Sequence, residues 1–205
     1  SWKSGEDIWV KASGAQLKDA ESSRIFCRIR RNNPLRNLEN DSLRPSIESY
    51  LHAIIPKKYV IHVHSVGAIN IAIRKSVDSS IKNLLSEFKL GLVEYVRPGK
   101  DLAKKVQTNF NSNSKNNGVI LRNHGIVFWG ENLMETYKTL LKFEETSFKE
   151  FSIKEDIFKI CYENGIERFI GKKYVTPDHA VFAKELANLS LASNPNWIED
   201  LNLAL

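Results

Sequence analysis

Apolar and polar residues alternate from 7 to 13 (Asp7-Ile-Trp-Val-Lys-Ala-Ser13), which marks a strand that Gly14 ends. A second strand is expected at 24–29, followed by a polar, asparagine-rich loop over 30–41. Pro45 is placed as the first residue of a helix, with Glu48 in its first turn and Tyr50, Leu51 and Ile54 on its apolar side. Residues 58–64 are short, β-branched and aromatic, and predict a strand. Helices are expected over 68–74 and 79–88, a strand over 91–96, and a helix over 99–110 with Asp101 near its start. A polar turn at 111–117 leads to two strands, 118–123 and 125–129, that meet at His124. The strongest helical period lies in 132–151, with Leu133, Tyr137, Leu140, Leu141 and Glu144 at helical spacing. Beyond about residue 155 the pattern weakens to a loop at 172–179 and a helix at 180–192. Strands come singly and in pairs between helices, which predicts an α/β fold with an antiparallel or mixed sheet flanked by helices.

Composition narrows the picture. With 205 residues and 42% hydrophobic content, the chain is long enough for one well-cored domain, expected to span 1–205. Mean hydropathy is −0.33 and no apolar run is long enough to cross a bilayer, so no membrane partner is expected. Cys27 and Cys161 form no disulfide framework and read as idle thiols in a reducing, cytoplasmic setting. The net charge of +6 and pI near 9.2 raise the question of nucleic acid. The basic residues are scattered, however, and no nucleic-acid motif is present, so the excess fits an anionic small substrate better. Met134 is the sole methionine, and Ser1 is therefore not expected to be a natural start.

Three histidines carry the candidate chemistry. His62 and His64, in Ile61-His-Val-His-Ser65, leave one face of their strand, so both imidazoles can turn toward one ion. His124, in Arg122-Asn-His-Gly125, ends a neighbouring strand. Three neutral imidazoles around one centre with an open fourth position form a catalytic zinc grammar. His52 follows Leu51 along its helix and is given a structural role.

The strings Arg44-Pro-Ser-Ile-Glu-Ser-Tyr-Leu-His52, His62-Val-His-Ser65, Glu94-Tyr-Val-Arg-Pro-Gly99 and Leu121-Arg-Asn-His-Gly-Ile126 occur in that order. Together they closely resemble the class II aldolase/adducin family, which includes L-fuculose-1-phosphate and L-rhamnulose-1-phosphate aldolases. Ile8-Trp-Val-Lys-Ala-Ser-Gly-Ala-Gln-Leu17 matches the family's early strand and turn. The resemblance covers residues 1 to about 150 and leaves 151–205 as a C-terminal extension. Arg44-Pro-Ser-Ile-Glu48 and Thr176-Pro-Asp-His179 look most like the larger sugar aldolases, some of them fused to a short-chain dehydrogenase.

The resemblance implies a three-layer α/β/α fold and a Zn2+ or other divalent ion held by His62, His64 and His124. It further implies that Glu48 guards the fourth position and acts as base, and that Tyr95 protonates the leaving aldehyde oxygen. Ser13, Gly14 and Ser46 match positions that help to bind substrate phosphate. Ile47 stands where many phosphosugar aldolases have a second serine, and the family's Gly-Asn-x-Ser turn would fall just before Ser1. The expected activity is retro-aldol cleavage of a ketose or ketose 1-phosphate through a metal-stabilised enediolate, by a homotetramer. The alternatives are a 4-epimerase or sugar-phosphate dehydratase on the same metal site, and a non-catalytic scaffold like the adducin head.

Overall fold

The alternating segments pair into one seven-stranded sheet in the order β3-β2-β1-β4-β7-β6-β5 in a computed structural model of the chain. The structure describes residues 1–150, save 22, 23, 40, 41 and 75. The expected loop at 172–179, the helix at 180–192 and Cys161 lie outside the described residues.

Strands β1 (Trp2–Ser4), β2 (Asp7–Lys11) and β3 (Phe26–Arg30) form an antiparallel meander at one side of the sheet. On one of its faces Trp2 stacks on Trp9 with ring centroids 5.3 Å apart, and Phe26 meets Trp2 edge-on. The other face sends Ile8, Val10, Cys27 and Ile29 into a core completed by Ala53. Burial also raises the pKa of the Cys27 thiol, in keeping with an idle side chain.

Strands β4 (Tyr59–Val63), β5 (Leu90–Val93), β6 (Gly118–Leu121) and β7 (Gly125–Gly130) make the other side. β7 lies antiparallel to both β4 and β6, while β5 and β6 are parallel. That parallel pair needs a crossover, which α4 (Lys100–Ser112) supplies. The sheet is therefore mixed and largely antiparallel, as expected.

The period of two along β7 divides the layers. Ile126 and Phe128 pack with residues of α2 (Val66–Ala72), α3 (Ser79–Glu87) and α5 (Leu133–Glu150). Val127 and Trp129 face the opposite way, against Leu51 of α1 (Ser49–Ile54) and Leu102 and Val106 of α4. Helices thus cover both faces, and the arrangement is α/β/α in three layers. Along β4, Val60 belongs to the α1/α4 side, whereas Ile61 and Val63 pack on the other. His62, two residues after Val60, falls on the α1/α4 side.

Several local expectations need correction. Pro45 does not open a helix: it bridges to Ala12 in extended backbone, and α1 begins only at Ser49. The Pro45 ring supplies no N–H, and neighbouring chain fixes the segment as an edge pairing before the helix starts. Glu48 is consequently the N-cap of α1 and not a member of its first turn. The buried residues of α1 are Ser49, Leu51 and Ala53, with Tyr50 and Ile54 only partly covered. In α5, Leu133, Tyr137 and Leu141 are exposed, and the face that meets the core is Thr136, Leu140, Phe143 and Ser147. The expected strand over 91–96 stops at Val93, which leaves Tyr95 beyond it. β1 and a 3-10 turn at Leu17–Glu21 were not anticipated.

Gly118 shows how tightly β6 and β7 meet. A Cβ there would overlap the Val127 carbonyl oxygen and stand 3.0 Å from Leu90 Cδ2. Since the first of these neighbours is backbone, the ladder itself would have to shift. Gly118→Ala is expected to destabilise the domain by roughly 1–3 kcal/mol, measured by urea denaturation. A change below about 0.5 kcal/mol would show that the ladder relaxes freely.

Candidate metal centre

Two strand ends and a helix cap build the site. In the β4–β7 ladder His62 stands opposite Val127 and Val63 opposite Ile126, so His64 lies one residue past the last pair. The chain leaves the sheet after Leu121, the end of β6, and re-enters it as β7 at Gly125, and His124 N–H donates to Leu121 O (3.1 Å) within that turn. Asn123 adopts a left-handed conformation with φ of 53°, which asparagine tolerates better than most residues. Its N–H donates to Ala72 O at the end of α2 (3.1 Å). Gly125 is required by close approach. A Cβ on it would stand 2.6 Å from Val63 O and 2.9 Å from His64 Cδ2.

Glu48 approaches from the other layer. As N-cap it accepts through its carbonyl oxygen from Leu51 N–H (2.8 Å), while its own N–H donates to Ser46 Oγ (3.2 Å). The Glu48 side chain is thereby free to lean over β4. Its Oε1 lies 3.2 Å from His62 Nε2 and 2.7 Å from His124 Nε2. His64 Nε2 is 3.1 Å from His62 Nε2. One potential ligand atom from each of Glu48, His62, His64 and His124 falls within 4.8 Å of the others.

This donor set fits a divalent transition metal. His62 Nδ1 lies 2.9 Å from Ile126 O, so its N–H donates to that carbonyl and the Nε2 lone pair faces the cluster. His124 is 1% exposed; its Nε2 lies 2.7 Å from Glu48 Oε1, and among the described residues its Nδ1 has no hydrogen-bond partner. A buried ring left in this state needs an explanation, and a shared cation gives one. Burial lowers the His124 pKa, against the opposing pull of Glu48, and so favours the neutral ring. For Glu48 burial pushes the pKa upward, but the close contacts with His124 and His62 outweigh it, and the carboxyl is held well below its usual range. Neutral imidazole and ionised carboxylate are the protonation states that metal binding requires.

Other expected residues fall into two groups. Ser13 and Gly14 sit in an exposed turn whose Ser13 N–H donates to Arg44 O (2.8 Å), which brings it beside the segment carrying Ser46 and Glu48. Gly14 has φ of 76°, a conformation that suits glycine. Lys11, which was not anticipated, ties this turn with Nζ donating to Ala12 O (3.0 Å) and Ala15 O (2.7 Å). Tyr95 is 53% exposed on the segment after β5 and makes no hydrogen bond to the four clustered residues. Two surface clefts among the described residues, lined in part by Lys89 and Asn113 and by Lys3 and Arg31, include none of the four.

Residues 1–148 match the model of the class II aldolase and adducin N-terminal domain. The chain belongs to that family. An uncharacterized oxidoreductase, YuxG, from Bacillus subtilis (strain 168) is 33% identical over 132 residues, 64% of this chain and 18% of that protein. The chain thus spans less than a fifth of that relative's length. The N-terminal class II aldolase domain of a conserved protein from Thermoplasma acidophilum superposes with a TM-score of 0.59 at 23% identity, covering 71% of this chain and 75% of that one. An L-fuculose-1-phosphate aldolase from Thermus thermophilus superposes with a TM-score of 0.53 at 16% identity, covering 73% and 79%. At such identities these two structures establish the shared fold. No described helix is long and apolar enough to cross a membrane.

His52 lies behind the site. It is partly buried, with Nδ1 2.9 Å from Ser1 Oγ. Burial holds its pKa well below 6.5. His62 and Lys3 press in the same direction, and Glu48 opposes them. Below pH 6.5 the unfolded chain therefore takes up a proton that the folded chain refuses, and stability falls as pH drops. The slope from this one group approaches about 1.4 kcal/mol per pH unit. His52→Gln should flatten the fall in unfolding free energy between pH 7 and pH 5. An unaltered slope would assign the acid sensitivity to other groups.

Proposed function

We propose that the protein is a metal-dependent class II aldolase that cleaves a ketose or ketose 1-phosphate by a retro-aldol reaction. The convergence of Glu48 with His62, His64 and His124 carries this reading, and family membership supports it. Zinc is the ion assigned to the site, and His62, His64 and His124 are the side chains that would hold it. A divalent ion there supplies Lewis acidity that spreads the negative charge of the enediolate.

The remaining work falls to the chain. In cleavage the hydroxyl on the carbon β to the carbonyl loses its proton as the bond between the α and β carbons breaks. The electron pair passes into the carbonyl to give the enediolate, and a proton is returned to the α carbon. Glu48, ionised and only 19% exposed, is assigned the proton exchange at the α carbon. Tyr95 is assigned the exchange at the aldehyde oxygen, a role its exposed position permits once substrate or a neighbouring subunit covers it. The turn at Ser13 and Gly14, with Ser46, is assigned to an anionic group of the substrate, for which Lys11 keeps a positive charge close by. The same reading places the protein in the cytoplasm as a homotetramer acting in carbohydrate metabolism.

A panel of ketoses and ketose 1-phosphates, followed by product analysis, tests the reaction. The expected products are one aldehyde and one three-carbon ketone or ketone phosphate. An epimer or a dehydrated sugar instead would replace the aldolase assignment. Glu48→Gln keeps the shape of the side chain but removes its basicity. It should lower kcat by about 100-fold or more while KM stays within a few-fold. Turnover within a few-fold of the parent would transfer the proton exchange elsewhere.

A further inference from the structure

His64 lies just past the last pair of the β4–β7 ladder, on the backbone that leads into α2. That backbone is Ser65, the extended N-cap of α2 with φ of −72° and ψ of 151°. An N-cap serine ordinarily turns its hydroxyl back on the first helical N–H groups. Ser65 makes no such bond. Its hydroxyl instead donates to Glu144 Oε1, and Gly67 N–H donates to Glu144 Oε2 (3.2 Å). A carboxylate from α5, 79 residues further along the chain, thus caps α2 in place of the local side chain.

The fit at this junction is close. A Cβ on Gly67 would stand 2.9 Å from Ser147 Cβ and 3.1 Å and 3.2 Å from the two Glu144 oxygens. At its other end α2 receives the Asn123 N–H on Ala72 O, one residue before His124. Helix α2 therefore spans the gap between the segments that carry His64 and His124. Glu144 fixes the end next to His64.

We infer that Glu144 is a positioning residue for the metal centre, acting through the Ser65 hydroxyl and the Gly67 N–H to orient His64. It touches neither the cluster nor the reacting atoms. The inference rests on the reading of Glu48, His62, His64 and His124 as a metal site. Residues that orient a ligand without binding the ion commonly change metal affinity by about 10- to 100-fold when lost.

The test is zinc affinity, measured on the full chain by competition with a chromophoric chelator, with thermal unfolding of the metal-free protein recorded alongside. Glu144→Ala should weaken zinc binding by about 10- to 100-fold. Glu144→Gln keeps the volume and one acceptor oxygen but removes the charge, and should weaken it by a smaller factor. Should the alanine variant not fold, the glutamine variant carries the test. Ser65→Ala should weaken binding as well, and the double variant with Glu144→Ala should lose less than the two single losses combined. Phe143→Leu, which loosens the core under the same helix, should lower the unfolding temperature and leave zinc affinity within two-fold of the parent. Unchanged affinity in both Glu144 variants would overturn the inference, as would an equal loss in Phe143→Leu. A parent protein that binds no zinc would overturn the metal reading itself, and a loss seen only in variants cannot be mistaken for that result.

Discussion

The antiparallel pairing of β4 with β7 is the constraint on which the site depends. It sets His62 opposite Val127 and lets the His62 ring donate to Ile126 O across the ladder. It also brings the turn containing His124 to the end of β4, because β7 starts immediately after that histidine. A slip of one residue in this register would send His62 to the opposite face, among Ile61, Val63 and the α2/α3/α5 core. The alternation of Ile126 and Phe128 with Val127 and Trp129, buried on opposite faces of β7, makes such a slip costly. Register, core packing and the placement of the imidazoles are therefore one problem with one solution.

Glu48 completes the cluster through a different kind of constraint. Its position follows from where α1 begins. The extended segment at Pro45, bridged to Ala12, delays the helix until Ser49 and leaves Glu48 as the cap. From there the carboxylate reaches His62 and His124 across the layer boundary. The same segment holds Ser46 under the Glu48 N–H and keeps the Ser13 turn close through Arg44 O. One edge pairing thus ties the acid/base candidate to the anion-binding candidate. The assembly concentrates buried polar groups, including a His124 ring whose Nε2 meets the Glu48 carboxylate and whose Nδ1 has no partner among the described residues. Groups of this kind are costly to bury without partners, and coordination of an ion offsets that cost.

Much of this was legible in the sequence because the signals are short-range. Two histidines at i and i+2 in a β-branched segment must share a face, and the glycine after His124 marks a tight passage that the structure shows to be full. Where the reading went astray, the deciding contacts are non-local. Pro45 is a common first residue of helices, but its bridge to Ala12 involves a segment 33 residues earlier. The helical spacing of Leu133, Tyr137 and Leu141 marks α5 correctly, but these side chains are exposed, and Thr136, Leu140, Phe143 and Ser147 form the face that meets the core. β1 is three residues long and has one ladder pair with β4, Trp2 opposite Tyr59, too little for a periodic signal. Lys11 and Glu144 act on backbone groups, and no spacing rule in a single sequence reveals such partners.

The central claim is that Glu48, His62, His64 and His124 form one metal centre. Its most direct test is elemental analysis by inductively coupled plasma mass spectrometry of protein purified without chelators, for the parent and for His124→Ala, with circular dichroism to verify the fold. The account predicts about one divalent transition-metal ion per chain in the parent, and a loss of at least ten-fold in occupancy in a folded His124→Ala. A parent free of stoichiometric metal, or a variant that retains it in full, would contradict the account.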